Sequence, residues 1–72
     1  MADSKRLMLK QLRVQHGDMS QQQMADALGV ERQLYSKIEL GQRRGSVDFW
    51  QRVQDRFGLD DATIWQMEKE GM

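Results

Sequence analysis

The stretch Gln21–Leu40, QQQMADALGVERQLYSKIEL, decides how this chain folds. Ala25 and Gly29 place small residues five and nine positions into it, and apolar side chains fall at Met24, Leu28, Val30, Tyr35 and Ile38. Two short helices crossing steeply need such a set. A small residue lets the backbones approach, a glycine lets the chain reverse, and apolar side chains fill the two inner faces. The start is marked just upstream: Ser20 sits at an N-cap with Gln23 three residues on, a capping box, and Met19 and Met24 bracket it as a hydrophobic staple. Gly29 ends the first helix of the pair. The second begins near Glu31 or Arg32 and ends at Gly41. Glu31 is a weak cap, but its charge suits the helix dipole.

Outward from this pair, proline is absent and every apolar pattern has helical spacing, so the chain reads as a compact all-α domain of five short helices. The first is expected over Lys5 to His16, capped by Asp3 or Ser4, stopped by Gly17, with Met8, Leu9 and Leu12 facing inward. Gly41 to Gly45 is a loop by its paired glycines. Ser46 caps a fourth helix that runs to Phe57, buries Trp50, Val53 and Phe57, and stops at Gly58. Asp60 caps a fifth, with Leu59 and Ile64 as a second staple pair and Trp65 and Met67 on its apolar side. Trp65 has two readings, a lid on the core or a contact between two copies.

Seventy-two residues are expected to form one domain, 1–72. A chain this short buries only about 60% of its unfolded surface, so its core is small. With no cysteine and one histidine it offers neither disulfide nor zinc site, and no metal or cofactor is expected. His16 reads as a donor near a helix C-terminus; no nucleophile and orienting partner accompany it, so catalysis is not expected. No apolar run approaches the roughly 20 residues that span a bilayer, and the N-terminus lacks a secretion signal's apolar stretch. The expectation is a soluble, cytoplasmic, non-enzymatic protein of a bacterial or phage-infected cell.

Eleven basic and eleven acidic residues cancel in total, but not locally. Residues 1–17 carry a balance of +3, residues 18–31 −3, residues 32–44 +3, and residues 58–72 −3. The basic block 32–44 holds Arg32, Lys37, Arg43 and Arg44 against Glu39 alone. Local sign governs contact with phosphates.

From about Leu9 to Ile64 the chain resembles the phage Cro and C1-type repressors, a helix-turn-helix DNA-binding family, and Gln21–Leu40 carries the resemblance most specifically. The resemblance implies that the second and third helices form the motif, with the third reading the major groove of double-stranded DNA. With Tyr35 and Ile38 inward, that helix presents Arg32, Gln33, Ser36 and Lys37 outward. Arginine binds guanine O6 and N7 in bidentate fashion and glutamine binds adenine N6 and N7. The family's base-reading residues fall where Arg32, Gln33 and Lys37 stand. Its phosphate-gripping glutamine matches Gln21, with Gln22 beside it, and its basic phosphate-binding loop matches Arg43 and Arg44. Arg13 and Glu39 occupy the places of an arginine–glutamate pair that links the first helix to the end of the third.

The chain also departs from that pattern. Gly17 to Ser20 is one residue longer than the usual turn, Gly45 replaces a common proline, Leu40 a common asparagine, and Gln54 a small apolar core residue. High specificity from one small module normally needs a homodimer. The expected contact lies on the fourth and fifth helices, at Phe49, Ile64 or Trp65, with the acidic last helix turned away from phosphates. The expected role is a repressor, of the kind phages and mobile elements encode, reading a near-palindromic operator. The alternative is a protein-interaction module or antitoxin that uses the same fold to hold a protein partner.

Overall fold

A computed structural model describes residues 5–71 and contains, among them, five helices and no strand. They are α1 (Leu7–Gln15), α2 (Gln21–Leu28), α3 (Arg32–Glu39), α4 (Val47–Phe57) and α5 (Asp61–Glu70). α2 packs on α3 and α4, α1 on α3 and α5, and α4 on α5. All five helices contribute to one core, with Phe49, Trp50 and Val53 coming from α4. Leu9 and Leu12 come from α1, Met24, Ala25 and Leu28 from α2, and Tyr35 and Ile38 from α3, while α5 adds Met67.

The local signals close as their chemistry dictates. Ser20 Oγ accepts from the Gln23 N–H at 3.1 Å while the Gln23 side chain accepts from the Ser20 N–H at 2.9 Å. Gly29 ends α2 at φ 71°, and a Cβ there would stand 2.8 Å from Arg52 Nη1. That guanidinium donates to the Leu28 carbonyl at 3.1 Å, capping α2 from another helix. Ser46 Oγ accepts from the Phe49 N–H at 3.0 Å and Asp60 Oδ1 from the Thr63 N–H at 2.8 Å.

α1 starts two residues later than its periodicity implies. Arg6 holds the N-cap place without a side-chain cap, and the expected caps at Asp3 and Ser4 lie outside the described residues. The end of α5 supplies the missing acceptor: Glu70 Oε1 takes the Met8 N–H at 2.8 Å. The long turn after α1 absorbs its extra residue with two left-handed positions, Gly17 at φ 94° and Asp18 at φ 52°. Hydrogen bonds from Asp18 N–H to Val14 O (2.9 Å) and Met19 N–H to Arg13 O (3.2 Å) fasten it.

Several apolar positions change place. Phe49, expected at a dimer contact, is 2% exposed and packs edge-on against Trp50 at 5.0 Å, so no second copy reaches it without opening the core. Phe57 is only partly buried, and His16, which caps α1, meets its ring edge at 4.8 Å. Trp65 is 59% exposed, so it is not a lid; Lys69 Nζ lies 4.4 Å from its ring centre. Ile64 packs partly against the core. Gln54 stays at the surface, where its amide donates to Asp61 Oδ1 at 2.6 Å and ties α4 to α5.

Candidate nucleic-acid interface

The tilt of α3 is set by one buried carboxylate. Glu39, wholly inaccessible to water, accepts from Arg13 Nε at 2.9 Å and Nη2 at 3.3 Å. Gln21 Nε2 donates to it at 2.9 Å and the Tyr35 hydroxyl at 2.8 Å. Arg13 also donates to the Met19 carbonyl at 2.8 Å. Glu39 and Arg13 together therefore join α1, the turn after it, α2 and α3. Burial by itself pushes the Glu39 carboxyl up, but the hydrogen bonds from Arg13, Gln21 and Tyr35 and the Arg13 charge outweigh it and hold the group below the ordinary range. The Glu39 hydrogen bond holds Arg13 firmly protonated, and burial together with the Glu39 charge pushes the Tyr35 hydroxyl up. The Arg13–Glu39 pair read from the sequence is thus a buried bidentate bridge, with Gln21 and Tyr35 as two further members.

With its inner face locked, α3 turns Arg32, Gln33 and Lys37 to solvent and leaves Ser36 half-buried. The four line one shallow depression together with Leu40 and Gln42. Leu40, in the place of the usual asparagine, is the C-cap of α3. The chain then doubles back, and amides at Gln42 (2.8 Å) and Arg43 (3.2 Å) both donate to the Lys37 carbonyl. Exposed Arg43 and Arg44 therefore stand beside the outward face of α3. Lys5 joins them: a Cβ at Gly41 would meet the Lys5 Cβ at 2.9 Å, so this cation lies against the loop. Gly45 adopts φ 85°, a conformation closed to proline, and a Cβ there would meet Trp50 Nε1 at 2.8 Å.

Beneath that loop lies a residue the charge pattern concealed. Arg6 is 1% exposed, and each of its five N–H donors has its own backbone acceptor. Nε donates to Met67 O at 3.2 Å, Nη1 to Ile38 O at 2.5 Å and Arg43 O at 2.6 Å, and Nη2 to Arg44 O at 3.2 Å and Glu68 O at 2.9 Å. The guanidinium also sits 5.4 Å from the Trp50 ring centre. Burial lowers its proton affinity, opposed by the charges of Glu68 and Glu70. From the sequence Arg6 reads as one more surface cation. Only a carbonyl cluster assembled from three distant segments distinguishes it.

Two expected phosphate contacts carry a different first duty. The Gln21 side chain is half-buried against Glu39, and the exposed Gln22 amide donates to Asp26 Oδ1 at 2.9 Å. Nor is the acidic last helix remote from the basic loop: Arg44 Nε lies 3.9 Å from Glu68 Oε1. Among the described residues no helix is long and apolar enough to cross a membrane, and no three His, Asp or Glu side chains are arranged to hold a metal ion.

Two packed helices joined at a left-handed glycine, the second carrying a polar outward face, define a helix-turn-helix domain. The family model of that domain matches residues 7–65, and the chain belongs to this family of Cro/C1-like DNA-binding domains. No curated protein and no solved structure matches it.

Proposed function

We propose that this protein is a cytoplasmic, sequence-specific regulator of transcription, a repressor of the phage or mobile-element kind, that reads a near-palindromic operator in double-stranded DNA as a homodimer. The observation that carries this is the shared outward face of Arg32, Gln33, Ser36 and Lys37 beside the loop cations Arg43 and Arg44. In this reading α3 enters the major groove, with Arg32 and Gln33 reading base edges and Lys37 reaching a base or a phosphate. Arg43, Arg44 and Lys5 neutralise phosphates. Gln21 and Gln22 hold the backbone through the N–H groups at the start of α2 and the amide hydrogen that Glu39 does not use. Ser36, half-buried, supports the face and offers a hydroxyl at its floor.

The longest extent of the molecule is 31 Å, while half-sites one helical turn apart lie about 34 Å from each other, so one copy covers one half-site. Of the expected contact residues, exposed Trp65 and part-buried Ile64 on α5 remain for a second copy once Phe49 is assigned to the core. Selection of preferred duplexes from a random pool tests the reading in one step. Recovery of a symmetric motif spaced by about one turn is the expected result; a pool that never enriches defeats it.

A protein-interaction module or antitoxin is the second reading, and the exposed Trp65 beside Arg44, Glu68 and Lys69 favours it. Titration of random duplex DNA at two salt concentrations separates the two. A nucleic-acid binder loses affinity steeply as salt rises; a module that binds only protein has no duplex affinity to lose.

A further inference from the structure

We propose that Arg6 is a positioning residue that couples the last turn of α5 to the loop 41–45, so that DNA affinity responds to changes at the end of α5. The coupling rests on the DNA-binding reading for its functional consequence, but its physical basis is independent of it. One buried guanidinium donates to Arg43 O and Arg44 O on one side and to Met67 O and Glu68 O on the other. The four carbonyls belong to the two segments that Arg6 separates. Trp50 Nε1 adds a bond of 3.0 Å to the same Arg44 carbonyl, and Ile38 O gives Arg6 a fixed hold on the end of α3.

A planar fork with every donor committed has no slack. Movement of the Met67 and Glu68 carbonyls either rotates the guanidinium or breaks bonds to the loop. Lysine cannot substitute, because three donors on a flexible stem do not reach five acceptors in one plane. Gly71 extends the argument to the end of α5. Its φ of −83° suits any residue, yet a Cβ there would meet Arg6 Cζ at 2.7 Å and Nη1 at 2.9 Å. A methyl group on Gly71 therefore pushes on Arg6 without adding backbone strain.

The test uses the full chain and two variants, Arg6→Lys and Gly71→Ala, the second guarding against failure of the first to fold. Backbone amide shifts of residues 42–45 are recorded by NMR, and affinity for a random duplex is measured across a salt series. For Gly71→Ala we expect loop amides to move and affinity to fall about threefold. For Arg6→Lys we expect about tenfold and a salt slope smaller by about one, as one loop arginine leaves its phosphate. Combining Gly71→Ala with Arg43→Ala and Arg44→Ala should add no further loss, since the loop cations are the route of the effect. Unmoved loop amides in a folded variant overturn the coupling, as does unchanged or fully additive loss of affinity. If the unmodified protein binds no duplex at all, the proposed function falls instead, and the amide shifts alone then decide the coupling.

Discussion

Glu39 is a carboxylate without water, and four donor contacts from three side chains stand in for its hydration. Removing it strands Arg13, Gln21 and Tyr35 together. Glu39→Ala should therefore destabilise the fold by about 3–5 kcal/mol in urea denaturation, the range for breaking a buried pair. Because its folded pKa is depressed, the stabilisation is complete above the ordinary value of 4.5 and is lost as pH falls through the folded value. Glu39→Gln should flatten the acid side of the stability curve; an acid limb as steep as the parent's would contradict this. Gly45 makes the complementary case for backbone. Gly45→Ala forces a side chain into left-handed geometry and against Trp50, which should cost about 1–2 kcal/mol. An equal or raised urea midpoint would show that the turn has another solution.

At the scale of elements, two helix starts differ in where their cap comes from. α2 is capped by its own neighbours, so Ser20→Ala should cost about 1 kcal/mol. α1 is capped by Glu70, a residue from the other end of the chain. Glu70→Ala should cost about as much, roughly 1 kcal/mol. Its loss should also speed hydrogen exchange at the Met8 amide specifically, which a general loss of stability would not do. Much of this level was legible. Ser20, Gly29, Ser46, Gly58 and Asp60 are local signals, and each marks a boundary that the structure keeps within a residue. The start of α1 was not, because its acceptor is distant in sequence. The inward set on α4 differs from the expected one for a related reason. Phe49 and Phe57 both fit a helical stripe, and the position of α3 beside Tyr35 and Phe49, with ring centres 6.3 Å apart, brings Phe49 into the core.

For the whole molecule, the predictions concern how contacts divide between reading sequence and holding phosphate. Arg32→Ala or Gln33→Ala should relax preference at one half-site position, each by about 1–3 kcal/mol. Arg43→Ala or Arg44→Ala should weaken every duplex by a similar factor and reduce the salt slope by about one. Equal losses on selected and random DNA in all four would undo that division. Trp65→Glu should weaken binding to a full operator far more than to an isolated half-site if α5 joins two copies. Matching losses on both would place the dimer contact elsewhere.

The sequence alone determined the paired helices α2 and α3, the caps Ser20, Ser46 and Asp60, most of the core stripe of α1 to α3, and the outward side chains Arg32, Gln33 and Lys37. These follow from periodicity and from side chains that bond to backbone three residues away, interactions that any copy of the segment makes by itself. Tertiary structure decided the rest. It buried Arg6 among carbonyls from three segments, gave Gln21 to Glu39, sank Phe49 and left Trp65 exposed. It also set Glu68 against Arg44. A cation is written identically whether it meets water or a ring of carbonyls, and only the packing of distant segments creates that ring.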